Sequence, residues 1–290
     1  MATPIIHLPE VERLSSRIIR ILGGNPGKFT LQGTNTYIVG TGTKRLLIDT
    51  GEGKPSWIAN VKDVLRKENI VISKAIITHW HHDHQGGINH LLECSPETGI
   101  FKNQPEEGQQ DIEDGQVFQV DGASLRAVFS PGHTQDHMSL ILEEEDAMFT
   151  GDNVLGAGTA VFEDLATYLN SLDIMRGKFQ GRAYPGHGPV VEDGPAKILE
   201  YIRHRKQREE QVIKVLKSFK SPDVPESKDS DPDEWASMDI VKIIYKDVPE
   251  NLHIPAHGGV MQILRKLEEE EKVVQHPKTE KWRIRNRAAL

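Results

Sequence analysis

A chain of 290 residues, 37% hydrophobic and 27% charged, can bury a sizeable core and has the composition of an ordinary soluble globular protein. The net charge of −8 is uneven: residues 1–200 carry 17 basic against 27 acidic side chains and residues 201–290 carry 18 against 16, so the larger part is a poor general surface for polyphosphate backbones. A single cysteine, Cys94, excludes an internal disulfide framework and an all-cysteine metal site, and no apolar run approaches the roughly 18 residues of a membrane span.

The opening stretch, "MATPIIHLPEVERLSSRIIRIL", lacks the pattern of a secretory leader, which makes a cytoplasmic location the expectation. Arg13, Arg17 and Arg20 would suit a weak organelle-targeting helix, but Glu10 and Glu12 oppose it, and "RIIRIL" reads equally well as a first strand. "SRIIRIL", "NTYIV" and "KRLLIDTG" are short apolar runs parted by Gly-rich turns and predict the strands of one meander. "PSWIANVKDVLRKE" then spaces Trp57, Val61, Val64 and Leu65 as one face of a helix. "KAIIT" predicts a buried strand that runs directly into "THWHHDHQGG". A short helix from Ile88 to Glu93 is expected next, followed by strands in "GQVFQV", "ASLRAVFS", "MSLILEEE" and "DAMFTG" and a helix in "DLATYLNSLDIM". Strands with interspersed helices imply an α/β layered fold whose sheets are covered by helices.

From Pro195 the pattern changes to a long charged helix, "PAKILEYIRHRKQREEQVIKVLKSF". It leads into "KSPDVPESKDSDPDEW", a composition that predicts a mobile linker near 220–235. Two helical segments, "MDIVKIIYKDV" and "GGVMQILRKLEEE", and two strand-like runs in "KVVQHPKTEKWRIR" predict a small winged-helix-like module. The expected division is a main domain over 1–205 and a C-terminal region over 206–290, with no internal repeat.

The chemistry concentrates in "THWHHDHQGG". His79 and His81 are two apart at a strand end, so both imidazoles point to one side and can share an ion. Asp83 and His84 follow where the chain has turned and would face a neighbouring position, while Gly86 and Gly87 permit close backbone approach. Three further candidates each follow a glycine at a loop-like position: His133 in "SPGHT", Asp152 in "FTGD" and His187 in "YPGHG". Seven nitrogen and oxygen ligands with one shared carboxylate would give each of two ions four protein ligands. Lone histidines are usually surface or hydrogen-bonded structural residues, and chance often yields His-x-His. Chance rarely yields His-x-His-x-Asp-His followed by three glycine-framed ligand positions. His82 and His90 read as bystanders and Cys94 as a helix-face core residue, whereas His137 in "HTQDH" fits either support of the site or a substrate contact.

These motifs, over about residues 16–205, resemble the metallo-β-lactamase superfamily. The resemblance implies a four-layer αβ/βα sandwich with two zinc ions at a sheet edge. It implies His79, His81 and His133 on the first ion, Asp83, His84 and His187 on the second, Asp152 bridging, and Asp49 in "LLIDTG" supporting the site from behind. Zinc lowers the pKa of bound water to about 7, so a hydroxide would attack a carbonyl or phosphoryl centre. Asp83 is the expected proton donor and acceptor. Cys94 falls at no position where authentic zinc β-lactamases use a cysteine, so antibiotic hydrolysis is not expected.

Within the superfamily, "LGGNPGKFTLQGTNTYIVGTG", "PGHTQDHM", "EEEDAMFTGDNVLGAGTAVFEDL" and "YPGHGPV" resemble the fungal lactamase-type thioesterases. These release a polyketide, such as atrochrysone carboxylic acid, from the acyl carrier protein of a non-reducing synthase. The same blocks with the C-terminal segment resemble animal lactamase-like protein 2, an endoribonuclease acting on single-stranded RNA. Only 34 residues separate Asp152 from His187, too few for the large domain inserted in some nucleic-acid-cleaving relatives. The acidic main body and the 6% aromatic content also disfavour RNA. "YIRHRKQREEQVIKVLK" and "KWRIRNR" are basic enough to line an RNA path, or are a solvated helix face and a tail. The first expectation is therefore a zinc thioesterase with an acyl carrier protein as partner, and the alternative is RNA cleavage. A non-catalytic binding module ranks last, because the ligand set is intact, and no membrane partner is expected.

Overall fold

The computed structural model describes residues 7–218 and 233–285. Its contacts divide the chain into two compact units between Tyr201 and Ile202. The first unit runs β1 (Val11–Arg13), β2 (Ile18–Leu22), β3 (Asn35–Val39), β4 (Lys44–Ile48), α1 (Pro55–Glu68), β5 (Val71–Ile77), α2 (His82–Gln85), α3 (Ile88–Cys94) and β6 (Gly99–Lys102). It continues through β7 (Val117–Val120), β8 (Ala123–Phe129), β9 (Met138–Leu142), β10 (Ala147–Gly151), α4 (Leu165–Arg176), β11 (Ala183–Pro185) and the start of α5 (Gly194–Leu216).

One sheet has the order β1-β2-β3-β4-β5-β6 and the other β11-β10-β9-β8-β7. The first is an antiparallel meander up to β4, as its short runs and tight turns dictate. It becomes parallel where helices intervene, α1 between β4 and β5, α2 and α3 between β5 and β6. Strand alternation sorts the side chains into layers. Ile18, Tyr37, Val39, Leu46, Ile48 and Ile76 meet Leu125, Ala127, Leu140, Leu142 and Phe149 between the sheets. Their neighbours Ile19, Ile21, Ile38, Leu47, Ala75 and Ile77 turn outward onto Trp57, Val61 and Val64 of α1 and Leu91 of α3. On the outer face of the second sheet Val128, Ile141 and Met148 are buried, and Ser139 of that face reaches Met175 of α4 (Oγ to Sδ, 3.7 Å). The result is the αβ/βα four-layer sandwich.

The helices begin and end where their residues require. Pro55 opens α1, Asn69 closes it in the left-handed conformation (φ 52°), and Trp57 anchors it by donating Nε1–H to Thr36 Oγ1 at 2.9 Å. Asp164 caps α4 by accepting from the Thr167 N–H at 2.7 Å.

Several details correct the reading of the sequence. "RIIRIL" forms the second strand, not the first. Arg20 within it is 1% exposed and pairs with Glu12 of the short edge strand β1. The strands β1, β6 and β11 were not predicted, because three or four residues are too few to display alternation. The motif that reads as a loop contains the helical turn α2.

The second unit comprises the rest of α5, α6 (Ser237–Ile244), α7 (His253–Glu269), β12 (Val273–Gln275) and β13 (Trp282–Ile284). Ile240, Val241, Val260, Ile263, Leu264, Leu267 and Trp282 are buried in it, and β12 and β13 pair antiparallel as the wing. Helix α6 stops at Ile244 rather than near Val248, which precedes Pro249 and is biased away from helix. Helix α7 starts at His253, ahead of the expected Gly258, because Pro255 sits in its first turn, where no N–H is needed. Of the expected linker near 220–235, residues up to 232 lie outside the described residues. Trp235 at its end is buried and bridges to Trp282, so it belongs to the module. Among the described residues no helix is long and apolar enough to cross a membrane.

Candidate metal centre

All seven predicted ligands converge at one edge of the sandwich. His79, His81, Asp83 and His84 lie just beyond β5, His133 lies between β8 and β9, Asp152 follows β10, and His187 follows β11. The glycines ahead of the last three have steric causes. A Cβ on Gly132 (φ +129°) would sit 2.4 Å from the Tyr168 backbone, and one on Gly186 would sit 2.3 Å from Asp152 Oδ1. Gly151 (φ +49°) would likewise bring a Cβ 2.5 Å from His137 Nε2.

The donor atoms fall into two sets, His79, His81, His133 and Asp152 in one, Asp83, His84 and His187 in the other. In the first, His81 Nδ1 lies 3.0 Å from His79 Nε2 and 3.1 Å from His133 Nε2. In the second, His187 Nε2 lies 3.4 Å from His84 Nε2 and 3.2 Å from Asp83 Oδ2. Asp152 stands between them, Oδ1 at 3.4 Å from His84 Nε2, and Oδ2 at 3.2 Å from His187 Nε2 and 3.7 Å from His133 Nε2. A tetrahedral ion with bonds of about 2.0–2.1 Å separates its ligands by about 3.3 Å, so these spacings suit a metal. The buried Asp152 Oδ1 has no hydrogen-bond donor of its own, a further sign that the set awaits a cation.

Residues behind the ligands fix which ring nitrogen is free. Asp49, itself at φ +58°, accepts from Thr78 N–H (2.7 Å), Thr78 Oγ1–H (2.9 Å) and His84 Nδ1–H (2.7 Å), leaving His84 Nε2 for a metal. Because the Thr78 hydroxyl spends its one proton on Asp49, it accepts from His79 Nδ1–H at 2.9 Å and leaves His79 Nε2 free. His133 donates Nδ1–H to the Val161 carbonyl at 2.8 Å and likewise presents Nε2.

Burial, then the neighbouring histidines, push His79 well below and His81 below the ordinary histidine range, so both rings are neutral and ready to ligate. Burial also opposes charge on His84, but Asp152 and Asp49 overcome it and hold that ring well above the ordinary value. His187 is raised to about 9, burial being outweighed by Asp152 and Asp83, and Asp83 is lowered to about 2 by its hydrogen bond from His187 against the cost of burial.

His82 is exposed and outside both sets, and Cys94 is half-buried against the α1–α3 core. His137 is fully buried behind the site, where Nε2 accepts from the Asp152 N–H at 3.1 Å and Nδ1 meets Ser130 Oγ at 3.0 Å, so it is a support and not a substrate contact. Sequence reasoning missed Thr34, which reaches Asp83 from 49 residues earlier in the chain, and Asn25, which holds Thr34; the only signal was the glycine-rich run "LGGNPGKFTLQGTNTY". Over the ligands opens a cleft of about 420 Å³, walled by Lys28, Phe29 and Leu31 on one side and Leu155, Ala160 and Val161 on the other.

This fold is a four-layer sandwich with two His/Asp sets at its strand ends that could hold metal ions. The profile of the metallo-beta-lactamase superfamily matches residues 29–98 and 94–187, and the beta-lactamase associated winged helix domain matches 236–282. The chain belongs to the metallo-beta-lactamase superfamily, and its cluster is capable of holding metal ions. It is 48% identical over 269 residues to the atrochrysone carboxyl ACP thioesterase of Aspergillus chevalieri, covering 92% of this chain and 85% of the relative. It is 44% identical over 285 residues to lactamase-like protein aptB of Emericella nidulans, covering 97% and 91%. Its fold is shared by a beta-lactamase domain protein from Burkholderia ambifaria, with a TM-score of 0.77 at 15% identity over 94% of this chain and 93% of that one.

Proposed function

We propose that the protein is a dinuclear zinc thioesterase that releases a polyketide acyl chain, of the atrochrysone carboxylic acid kind, from an acyl carrier protein. The observation that carries this reading is the make-up of the cleft. Phe29, Leu31, Leu155, Ala160 and Val161 form its walls, and Lys28 is the one lysine or arginine among its lining residues. An acyl chain gains about 25 cal/mol per Å² of apolar surface removed from water against such walls. A phosphodiester backbone needs several cations instead. The thioesterase name of the 48% identical relative supports the same choice.

Four donors for each ion, with Asp152 shared, suit zinc. When bound, two zinc ions would supply an acidified water and polarise the thioester carbonyl. His79 and His81 offer neutral nitrogens, His133 presents its Nε2, and Asp152 offers an oxygen to each side. Asp83 lines the cleft and is ionised at neutral pH, so it can take a proton from the attacking water and pass it on. A thiol leaving group, with pKa of about 8.5, asks little of that step.

The test is a comparison of zinc-loaded protein with Asp83→Ala on acyl thioesters of a carrier-protein arm and on single-stranded RNA. The expected outcome is zinc-dependent thioester hydrolysis that falls by about 100-fold or more in Asp83→Ala. Efficient RNA cleavage without thioester hydrolysis would overturn the reading in favour of an endoribonuclease, and a wild type as unreactive as Asp83→Ala on both substrates would favour a non-catalytic binding module.

A further inference from the structure

We infer that Thr34, seated by Asn25, is a positioning residue that fixes the metal-facing oxygen of Asp83. The inference rests on the reading of Asp83 as a ligand of the second ion and a proton carrier. Thr34 is fully buried, and its hydroxyl donates to Asp83 Oδ2 at 3.1 Å, the same oxygen that lies 3.2 Å from His187 Nε2. A threonine hydroxyl has one proton, so its direction is decided by what else it meets. Here Asn25 Nδ2 donates to Thr34 Oγ1 at 3.0 Å, and Asn25 Oδ1 accepts from the Thr34 N–H at 2.9 Å. Both ends of the asparagine amide are thereby used, the Thr34 oxygen lone pair is occupied, and its proton is aimed at Asp83.

The surroundings are built to hold that amide. A Cβ on Gly23 would come 2.7 Å from Asn25 Oδ1, and one on Gly33, at φ +126°, would come 3.3 Å from the same atom. Thr30 Oγ1 donates to the Asn25 carbonyl at 2.6 Å. The Thr34 backbone is bridged to His187, and Asn35 N–H donates to Gly186 O at 2.7 Å. Thr34 therefore holds two members of the second set, His187 through its backbone and Asp83 through its hydroxyl. It does so from the base of the loop whose tip, Lys28 to Leu31, forms one wall of the cleft. Loss of the hydroxyl removes the bond to Asp83 and leaves the backbone bridge its own hydrogen bonds, and the side-chain bonds of Thr34 run to Asn25 and Asp83, not to the first set.

The experiment compares Thr34→Val, Thr34→Ala and Thr34→Ser with wild type, using zinc titrations against a chromophoric chelator and steady-state thioester hydrolysis. Valine and alanine are expected to weaken the second ion about 10–100-fold and to lower kcat with KM unchanged, while the first ion binds as in wild type. Retention of the first ion is the internal control for folding, and serine, which keeps the hydroxyl, restores both readings to within about threefold. Wild-type affinity for both ions in Thr34→Val and Thr34→Ala, or a serine variant as impaired as alanine, overturns the inference alone. A wild-type protein that takes up only one zinc overturns the dinuclear reading and the inference with it.

Discussion

The two His/Asp sets of the candidate metal centre use different physics to hold similar side chains. His79 and His133 are oriented by neutral acceptors, the Thr78 hydroxyl and the Val161 carbonyl, and burial keeps the His79 and His81 rings uncharged. Asp83, His84 and His187 are held by charge instead. His84 leans on the Asp49 carboxylate, and His187 binds a proton between Asp83 and Asp152. The first set thus offers an ion three nitrogens with little to displace. The second set is stabilised in the metal-free protein by protons that an incoming ion must expel. The first set should fill before the second, and only the second should depend strongly on pH near neutrality.

Asp152 is where the contrast disappears, because its two oxygens face both sets. Asp152→Ala should lose both ions and cut hydrolysis by about a thousandfold or more, measured as metal content and turnover together. Asp49→Asn comes next. It removes the counter-charge of His84 and confuses the Thr78 hydrogen bonds, so we expect a loss of about 10–100-fold in affinity, heavier on the second ion. Thr78→Val should cost less, about tenfold and heavier on the first ion, since it removes the neutral acceptor that orients His79 and only one of the three donors to Asp49. If Thr78→Val weakened the second ion more than the first, this division of labour between the two sets would be wrong.

The seven clustered side chains are legible because each announces itself locally, four in "THWHHDHQGG" and three behind a glycine that a sharp bend requires. The residues that orient them were less visible. Thr78 is hidden by being an ordinary strand-end residue, and the Val161 carbonyl is a backbone atom that no residue type encodes. Thr34, held by Asn25, reaches Asp83 across 49 residues of chain, a contact that periodicity cannot report. The layers of the sandwich could be read from alternating apolar residues. The strands β1, β6 and β11 could not, because they exist through pairing with longer neighbours and not through a pattern of their own.

The smallest expected effect tests the charge on the second set directly, through the pH dependence of thermal stability. In the metal-free protein Asp83 lies at about 2, below the usual 3.8, so its contribution is present above pH 3.8 and fades as pH falls through 2. His187 lies at about 9, above the usual 6.5, so its contribution is complete below pH 6.5 and fades as pH rises through 9. Metal-free protein should therefore hold its pair stability between pH 3.8 and 6.5 and lose on the order of 5 °C in Tm by pH 9. A metal ion held by His187 would require the ring without that proton, so on the proposed reading zinc-loaded protein should gain stability over the same rise in pH. His187→Gln should flatten the alkaline limb of the metal-free curve. Parallel curves with and without zinc would show that the second set is oriented like the first, by neutral partners, and that protons and metal do not compete there.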